Sequence, residues 1–387
     1  MEVPKEIIEM PEYLKHLKDI PVDTIVQGVP SELEIANAIR KLKNGKSSAD
    51  IPAELLKYAI SSPEAMKELK MIFEEIWKEK KVPPHFGNSR MTAIFKNKGK
   101  ITDPKMYRMI QTSKITTKLL SMIILQRISP WIENQLLQYQ LGFRQGSGTA
   151  EGILAVRTLQ RITRNTNQKI WVLLTDMTAG FDTVIRQFCF QSIYHRLPKG
   201  ANLTNFQILE SLYNHTEGFL TNTKDTIQLK RGTRQGGVES PSLWALFLDW
   251  ILRIFIHQAQ EEGIQFLELE YRIPPQATTR QMEGRRASKM TLPMMMYADD
   301  LQVFLNDQQS LEKAANLIHH LLTRYHLILN LGKGKTATMI LSGNQMKVYP
   351  STIVTIKDIP IENVQKFILL GSTIYQNASK SIDLAIR

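Results

Sequence analysis

The chain has 387 residues, 43% apolar and 22% charged, which is the balance of a globular protein with room for two or three structural domains. No run of about 18 apolar residues occurs to make a spanning helix, MEVPKEIIEM does not read as a secretory signal, and a lone cysteine, Cys189, excludes a disulfide framework or a cysteine zinc site. An intracellular setting, nucleus or cytoplasm, is expected, and the net charge of +12 points to a polyanionic partner, nucleic acid before a membrane surface.

In chain order, SELEIANAIRKLKNGK predicts the first helix. Ser31 and Glu34 make a capping box, Ile35, Ala38, Ile39 and Leu42 form one apolar face, and Asn44-Gly45 ends it. A second helix starts at Pro63, carries Met66, Leu69, Phe73, Ile76 and Trp77 on one side, and stops at Pro83-Pro84. FKNKGK, ending at Lys100, and the stretch from Arg272 to Lys289 read as basic loops. A third helix runs roughly from Lys114 to Leu137, and IWVLLTD from Ile170 has the pattern of a buried strand. A further helix is expected from about Pro241 to Gln260. In TLPMMMYADDLQVFLN, Met294–Tyr297 and Leu301–Phe304 read as two short strands with Ala298-Asp299-Asp300 as their turn. Ala314, Leu317, Ile318, Leu321, Leu322 and Tyr325 stripe another helix, and TATMILS, STIVTI and VQKFILLGSTI are strand-like. From Ile170 on, this order predicts an antiparallel sheet with helices on one face, preceded by about 160 mostly helical residues.

The chemistry concentrates on acids. Asp299 and Asp300 lie within an apolar stretch, where two like charges call for a cation or drive one acid to protonate. Asp176, at the end of its strand, is the natural partner if that strand lies beside the hairpin, although Asp176 or Asp182 would serve equally well as a helix N-cap. Carboxylates without His or Cys suit hard cations, Mg²⁺ or Mn²⁺, and a pair of such ions is the usual device for in-line phosphoryl transfer. Other tempting motifs fail. GKGKT has Leu329 where a phosphate-binding loop needs its first glycine, NGKS has Arg40 there, and GSG has Glu151 in place of a dinucleotide loop's third glycine.

At these residues the chain resembles the reverse transcriptases of LINE-type (non-long-terminal-repeat) retrotransposons, in order over nearly its whole length. AIRKLKNGKSSADIPAELLK resembles the N-terminal motif, IFKNKGKITDPKMYRMI with KLLSMIILQRI the first finger motif, and QLGFRQGSGTAEGI the second. DMTAGFD resembles motif A, GTRQGGVESPSLWALFLDWIL motif B, YADD motif C, LILNLGKGKTATMI motif D, and VQKFILLGST the primer grip. The resemblance implies an α+β right-hand polymerase: helical fingers over 1–165 and a ferredoxin-like antiparallel palm sheet backed by helices over 166–376, with 377–387 the start of a missing thumb. It implies RNA-directed DNA synthesis by two-metal nucleotidyl transfer, with an RNA template, a DNA primer and dNTPs as partners and no membrane. Asp176 and Asp299, with the Met177 carbonyl, would hold Mg²⁺ or Mn²⁺, with Asp300 as a secondary acid. Phe181 would exclude a ribonucleotide 2′-hydroxyl, and Gln235 and Gly236 would form a backbone-accessible turn with Arg234 and Gly237. Arg108, Lys118 and Lys335 would meet phosphates, and Leu370 and Gly371 would abut the primer. Gly180, where alanine is usual, and Ser47–Ala49 depart from the pattern in the direction of drift in an inactive copy. No endonuclease is expected before the polymerase motifs. The rival readings are a degenerate RNA or RNA–DNA hybrid binding protein and an RNA-dependent RNA polymerase, which Phe181 opposes.

Overall fold

The computed structural model describes residues 7–46, 50–97, 99–221, 225–234, 236–271, 288–343 and 349–377. It divides into two compact units, Met1–Leu136 with Gly180–Leu248 and Leu137–Ala179 with Asp249–Arg387. This division does not follow the expected step at residue 165, because the helix Thr149–Thr166 packs with the second unit. The expected thumb start lies outside the described residues from 378 on. Among the described residues no helix is long and apolar enough to cross a membrane.

In the first unit, the capping box forms as the spacing predicts: Ser31 Oγ accepts from Glu34 N–H at 3.2 Å, and Ser31 N–H donates to Glu34 Oε2 at 2.9 Å. The helix Glu32–Arg40 stops short of Asn44-Gly45. That turn is instead tied to the next helix, Ala53–Ala59, where Gly45 N–H donates to Glu54 Oε1 at 2.6 Å and Lys57 Nζ donates to Asn44 Oδ1 at 2.8 Å. Pro63–Glu79 begins and ends near its predicted signals, and Ile115–Gln135 continues through Pro130. Arg127 of this helix is buried and grips Glu34 with two nitrogens, Nε at 2.8 Å and a terminal nitrogen at 3.0 Å. Its side-chain hydrogen bonds hold the Glu34 carboxyl at a pKa of about 2.

The first part, expected to be mostly helical, also carries two strands of a four-stranded sheet in the order Tyr107–Ser113, Ser89–Phe95, Glu217–Leu220 and Thr226–Gln228. Its first two strands pair antiparallel over seven residues, from Ser89 opposite Ser113 to Phe95 opposite Tyr107. SRMTAIF and YRMIQTS carry too few apolar alternations to announce strands, and their stability comes from pairing with each other. FKNKGK leads out of the first of these strands toward the second; Lys98 lies outside the described residues.

The second unit is built on an antiparallel sheet in the order Ala337–Leu341, Ile170–Thr175, Asp300–Leu305, Met294–Tyr297. Ile170, Val172 and Leu174 face one way, with Phe304, Met339 and Leu341, onto Val156 and Leu159 of the helix Thr149–Thr166. Each such buried side chain contributes roughly 1.5–3 kcal/mol. The helix Gln308–Arg324 packs on the strands Ile170–Thr175 and Asp300–Leu305. The strand Ala337–Leu341 is buried at every position, so the sheet is covered on both faces rather than one. A hairpin, Lys366–Leu369 with Ser372–Tyr375, is closed by Leu370 and Gly371 at φ +50° and +81°, the double positive φ of a type I′ turn.

Candidate active site

In the second unit, the register does what the acids require. Thr175 stands opposite Leu301, so Asp176 leaves its strand next to the end of the neighbouring strand that carries Asp300. Tyr297 pairs with Asp300, which makes the turn two residues long, Ala298 and Asp299. Asp300 is therefore the first residue of a strand and not part of the turn, because the ladder closes one residue earlier than the apolar pattern suggests. Met177 is 5% exposed and bridges to Leu329 on the far side of Asp176.

Asp176 is held from the loop before the strand Ala337–Leu341. Asn330 N–H donates to Asp176 O at 2.8 Å, Asn330 Nδ2 donates to Asp176 Oδ2 at 3.0 Å, and Thr336 Oγ1 accepts from Asp176 N–H at 3.2 Å. Lys335 Nζ lies 3.5 Å from Asp176 Oδ1. Lys335, expected at the nucleotide's phosphates, thus pairs with the acid. Asn330 and Thr336 had no signal of their own, since a single polar residue in a polar loop looks like any other.

Burial is the first cause that raises the Asp299 carboxyl above its ordinary value, and the charge of Asp176 adds to it. Asp300 has an open face, yet the protein crowding its carboxyl and then the charges of Asp299 and Asp176 push it up to about 6. The three acids therefore form one electrostatic group that a cation would relieve. Among the described residues, no three Asp, Glu, His or Cys side chains cluster closely enough to cage an ion by themselves.

The first unit carries the remaining motif residues. Phe181 stacks on Trp244 with ring centroids 5.0 Å apart and planes 28° apart. Gly180 is buried beneath the same indole: a Cβ there would stand 2.8 Å from Trp244 Cη2. Trp244 thus fills the space an alanine methyl would take, which gives Gly180 a packing reason. Asp182 is raised above its ordinary value by burial, against the pull of Lys96.

Gly236, at φ +113°, has no room for a side chain, since a Cβ would meet Gln111 O at 2.6 Å. Arg234 belongs to the turn, its O accepting from Gly237 N–H at 2.8 Å, and the residue is buried. It is 1% exposed and donates to Glu239 Oε1 at 2.6 Å and 3.0 Å, while Tyr213 Oη donates to the same oxygen at 2.8 Å. Gln235 lies outside the described residues, as do Ser47–Ala49. Arg108 is exposed on the strand Tyr107–Ser113, and Lys118 is half-buried in the first turn of Ile115–Gln135. In the second unit, Leu370 and Gly371 form the turn of the last hairpin.

A family model described as "Reverse transcriptase (RNA-dependent DNA polymerase)" matches residues 94–374. The chain belongs to the reverse transcriptase family. As a reverse transcriptase it is an RNA-directed DNA polymerase, a nucleotidyltransferase that takes a template, a primer and nucleotides. The match begins at Ile94 in the strand Ser89–Phe95 and includes Asp176, Asp299, Asp300 and the turn Leu370-Gly371. Reverse transcriptases use divalent metal ions, and the donor set of the acid group has the chemistry for one.

Proposed function

We propose that the chain is the polymerase of a LINE-type, non-long-terminal-repeat retrotransposon and extends a DNA primer on an RNA template by two-metal nucleotidyl transfer. The order of the motifs from the N-terminal AIRKLKNGK to VQKFILLGST supports the subfamily. One observation carries the mechanism: antiparallel register brings Asp176 and Asp299 to the same end of one sheet, where the charge of Asp176 raises the cost of ionising Asp299.

Asp176 and Asp299 are the residues that would hold the ions, Mg²⁺ or Mn²⁺, with the Met177 carbonyl beside them and Asp300 as a secondary acid. When bound, the ions lower the pKa of the primer 3′-hydroxyl and neutralise the leaving pyrophosphate. Asn330 and Thr336 orient Asp176 so that its carboxylate keeps a fixed direction. Lys335 supplies positive charge beside the acids, where a nucleotide's phosphates would compete with Asp176 for it. Phe181 selects deoxynucleotides by occupying the space of a 2′-hydroxyl, Gln235 and Gly236 line the nucleotide, Arg108 and Lys118 meet phosphates, and Leu370-Gly371 supports the primer end. Setting the fingers at 1–165 and the palm at 166–376 follows the motifs rather than the compact units.

The test is primer extension on an RNA template by the 387-residue chain, with Mg²⁺ or Mn²⁺ and with dNTPs or NTPs. Extension with dNTPs that Asp176→Asn abolishes supports the reading. Retained hybrid binding without extension would favour a degenerate binding protein, and equal use of NTPs would remove the role given to Phe181.

A further inference from the structure

The turn that carries Asp299 is strained where a hairpin ordinarily places glycine. Ala298, the first of its two residues, takes φ +58°. A residue with a Cβ keeps such a backbone only where its surroundings over-determine it. Here the surroundings are the segment from Tyr139 to Phe143, in the same compact unit. Met296 N–H donates to Tyr139 O at 2.9 Å and Leu141 N–H donates to Met296 O at 2.8 Å, so the segment runs as a parallel rung beside the strand Met294–Tyr297. Gln140, 1% exposed, donates through Nε2 to Gly142 O at 2.9 Å and fixes the next bend.

Gly142 then lies directly on the turn. A Cβ at this position would stand 2.4 Å from Ala298 N and 3.1 Å from Tyr297 C and Cα. The obstacle is backbone, which cannot swing aside as a side chain can. Phe143 follows at φ +62°, so the contact is flanked by a second residue held in the left-handed region.

We propose that Gly142 is a positioning residue for polymerisation: seated on the Ala298 amide, it sets the height and tilt of the turn and so the place of the Asp299 carboxylate. The inference rests on the reading of Asp299 as a metal-binding acid. Gly142 itself touches no reacting atom. Its effect is geometric, because a reacting constellation displaced by about 1 Å can lose on the order of a hundredfold in rate. A glycine needed only for packing would lower stability and leave turnover per folded molecule intact.

The experiment compares Gly142→Ala with the parent in single-nucleotide extension on a fixed primer–template. Ile170→Val serves as a control for lost stability, because Ile170 pairs with Leu341 at the end of the sheet remote from Asp176. Gly142→Ala should lower kcat per folded molecule at least about tenfold, with KM for dNTP and affinity for the hybrid within about twofold. Ile170→Val should lose melting temperature and keep kcat. A Gly142→Ala enzyme with parental kcat, or a kcat loss that Ile170→Val shares, overturns the proposal. Asp299→Asn is measured alongside. If it is inactive while Gly142→Ala is normal, only the positioning role fails; if it is active, the reading of Asp299 fails and the inference with it. Should Gly142→Ala not fold, Gln140→Met, which removes the bond to Gly142 O, decides: a reduced kcat at unchanged KM upholds the role, and parental kcat overturns it.

Discussion

Asn330 holds Asp176 at two points, by its backbone N–H on the Asp176 carbonyl and by its side-chain amide on the carboxylate. The two bonds fix the acid relative to the loop that also carries Lys335 and Thr336. Asn330→Ala removes the side-chain bond to Asp176, together with the one its Oδ1 accepts from Gly332 N–H at 3.2 Å. Asp176 keeps an open face, so the loss of stability should be about 1 kcal/mol, or roughly 2–4 °C in melting temperature. Polymerisation should fall further than that stability loss explains, because the carboxylate gains freedom to turn. Calorimetry beside extension kinetics checks this, and unchanged kcat would show that the backbone bond suffices.

Asp300 makes a prediction about pH. Its carboxyl titrates near 3.8 unfolded and about 6 folded. Between those values the native state binds more protons than the unfolded one, so this group's effect on stability worsens as pH rises through the window. Above about 6 the full cost is present. Asp300→Asn removes it, so without divalent metal the variant should melt above the parent near pH 7. The gap should close as pH falls toward 4. A variant less stable than the parent at neutral pH would mean Asp300 is stabilised as an anion.

Glu34 has the opposite sign. Its carboxyl falls from 4.5 to about 2, first through the hydrogen bond from Arg127. The stabilisation is fully present above about 4.5 and is lost as pH drops toward 2. Glu34→Gln should lower the melting temperature at neutral pH and converge with the parent in acid. Parallel curves for the two proteins across that range would mean the pair carries no net stabilisation.

The parts of this molecule legible in the sequence are those where one short segment carries the whole signal. IWVLLT and the MMMY and LQVFL runs are dense in strand-forming residues, and the acids at their ends stand out against them. Ser31 and Glu34 announced a helix start because a capping box is local. What stayed hidden depends on contacts distant in sequence. Asn330 meets Asp176 across 154 residues, Gly142 meets Ala298 in another loop, and Ser89–Phe95 becomes a strand between Tyr107–Ser113 and Glu217–Leu220. The turn at Arg234 was legible from the glycines after it, whereas the burial of its side chain depends on Tyr213, which closes over Glu239. The LINE-type reading proposed above rests on the order of the motifs, which no single element of the fold carries.

Phe181 yields the sharpest functional prediction, because sugar choice separates a DNA-making polymerase from its relatives. It lies five residues after Asp176 in motif A, and its ring stacks on Trp244. If Phe181 is the steric gate proposed above, that contact is what would hold its ring in place. Phe181→Val removes the ring, so ribonucleotide incorporation should rise at least about tenfold while dNTP use falls only modestly, since about 1.4 kcal/mol is a tenfold change in rate. Losing a partly buried aromatic should also cost about 1–3 kcal/mol of stability. Gly180→Ala leaves the ring but drives a methyl into Trp244 Cη2, so it should relax the same selectivity to a smaller degree. The measurement is single-nucleotide extension with dNTP and NTP on one primer–template for all three proteins. If Phe181→Val keeps the parent's preference while losing stability, Phe181 is a packing residue for Trp244 and the gate lies elsewhere.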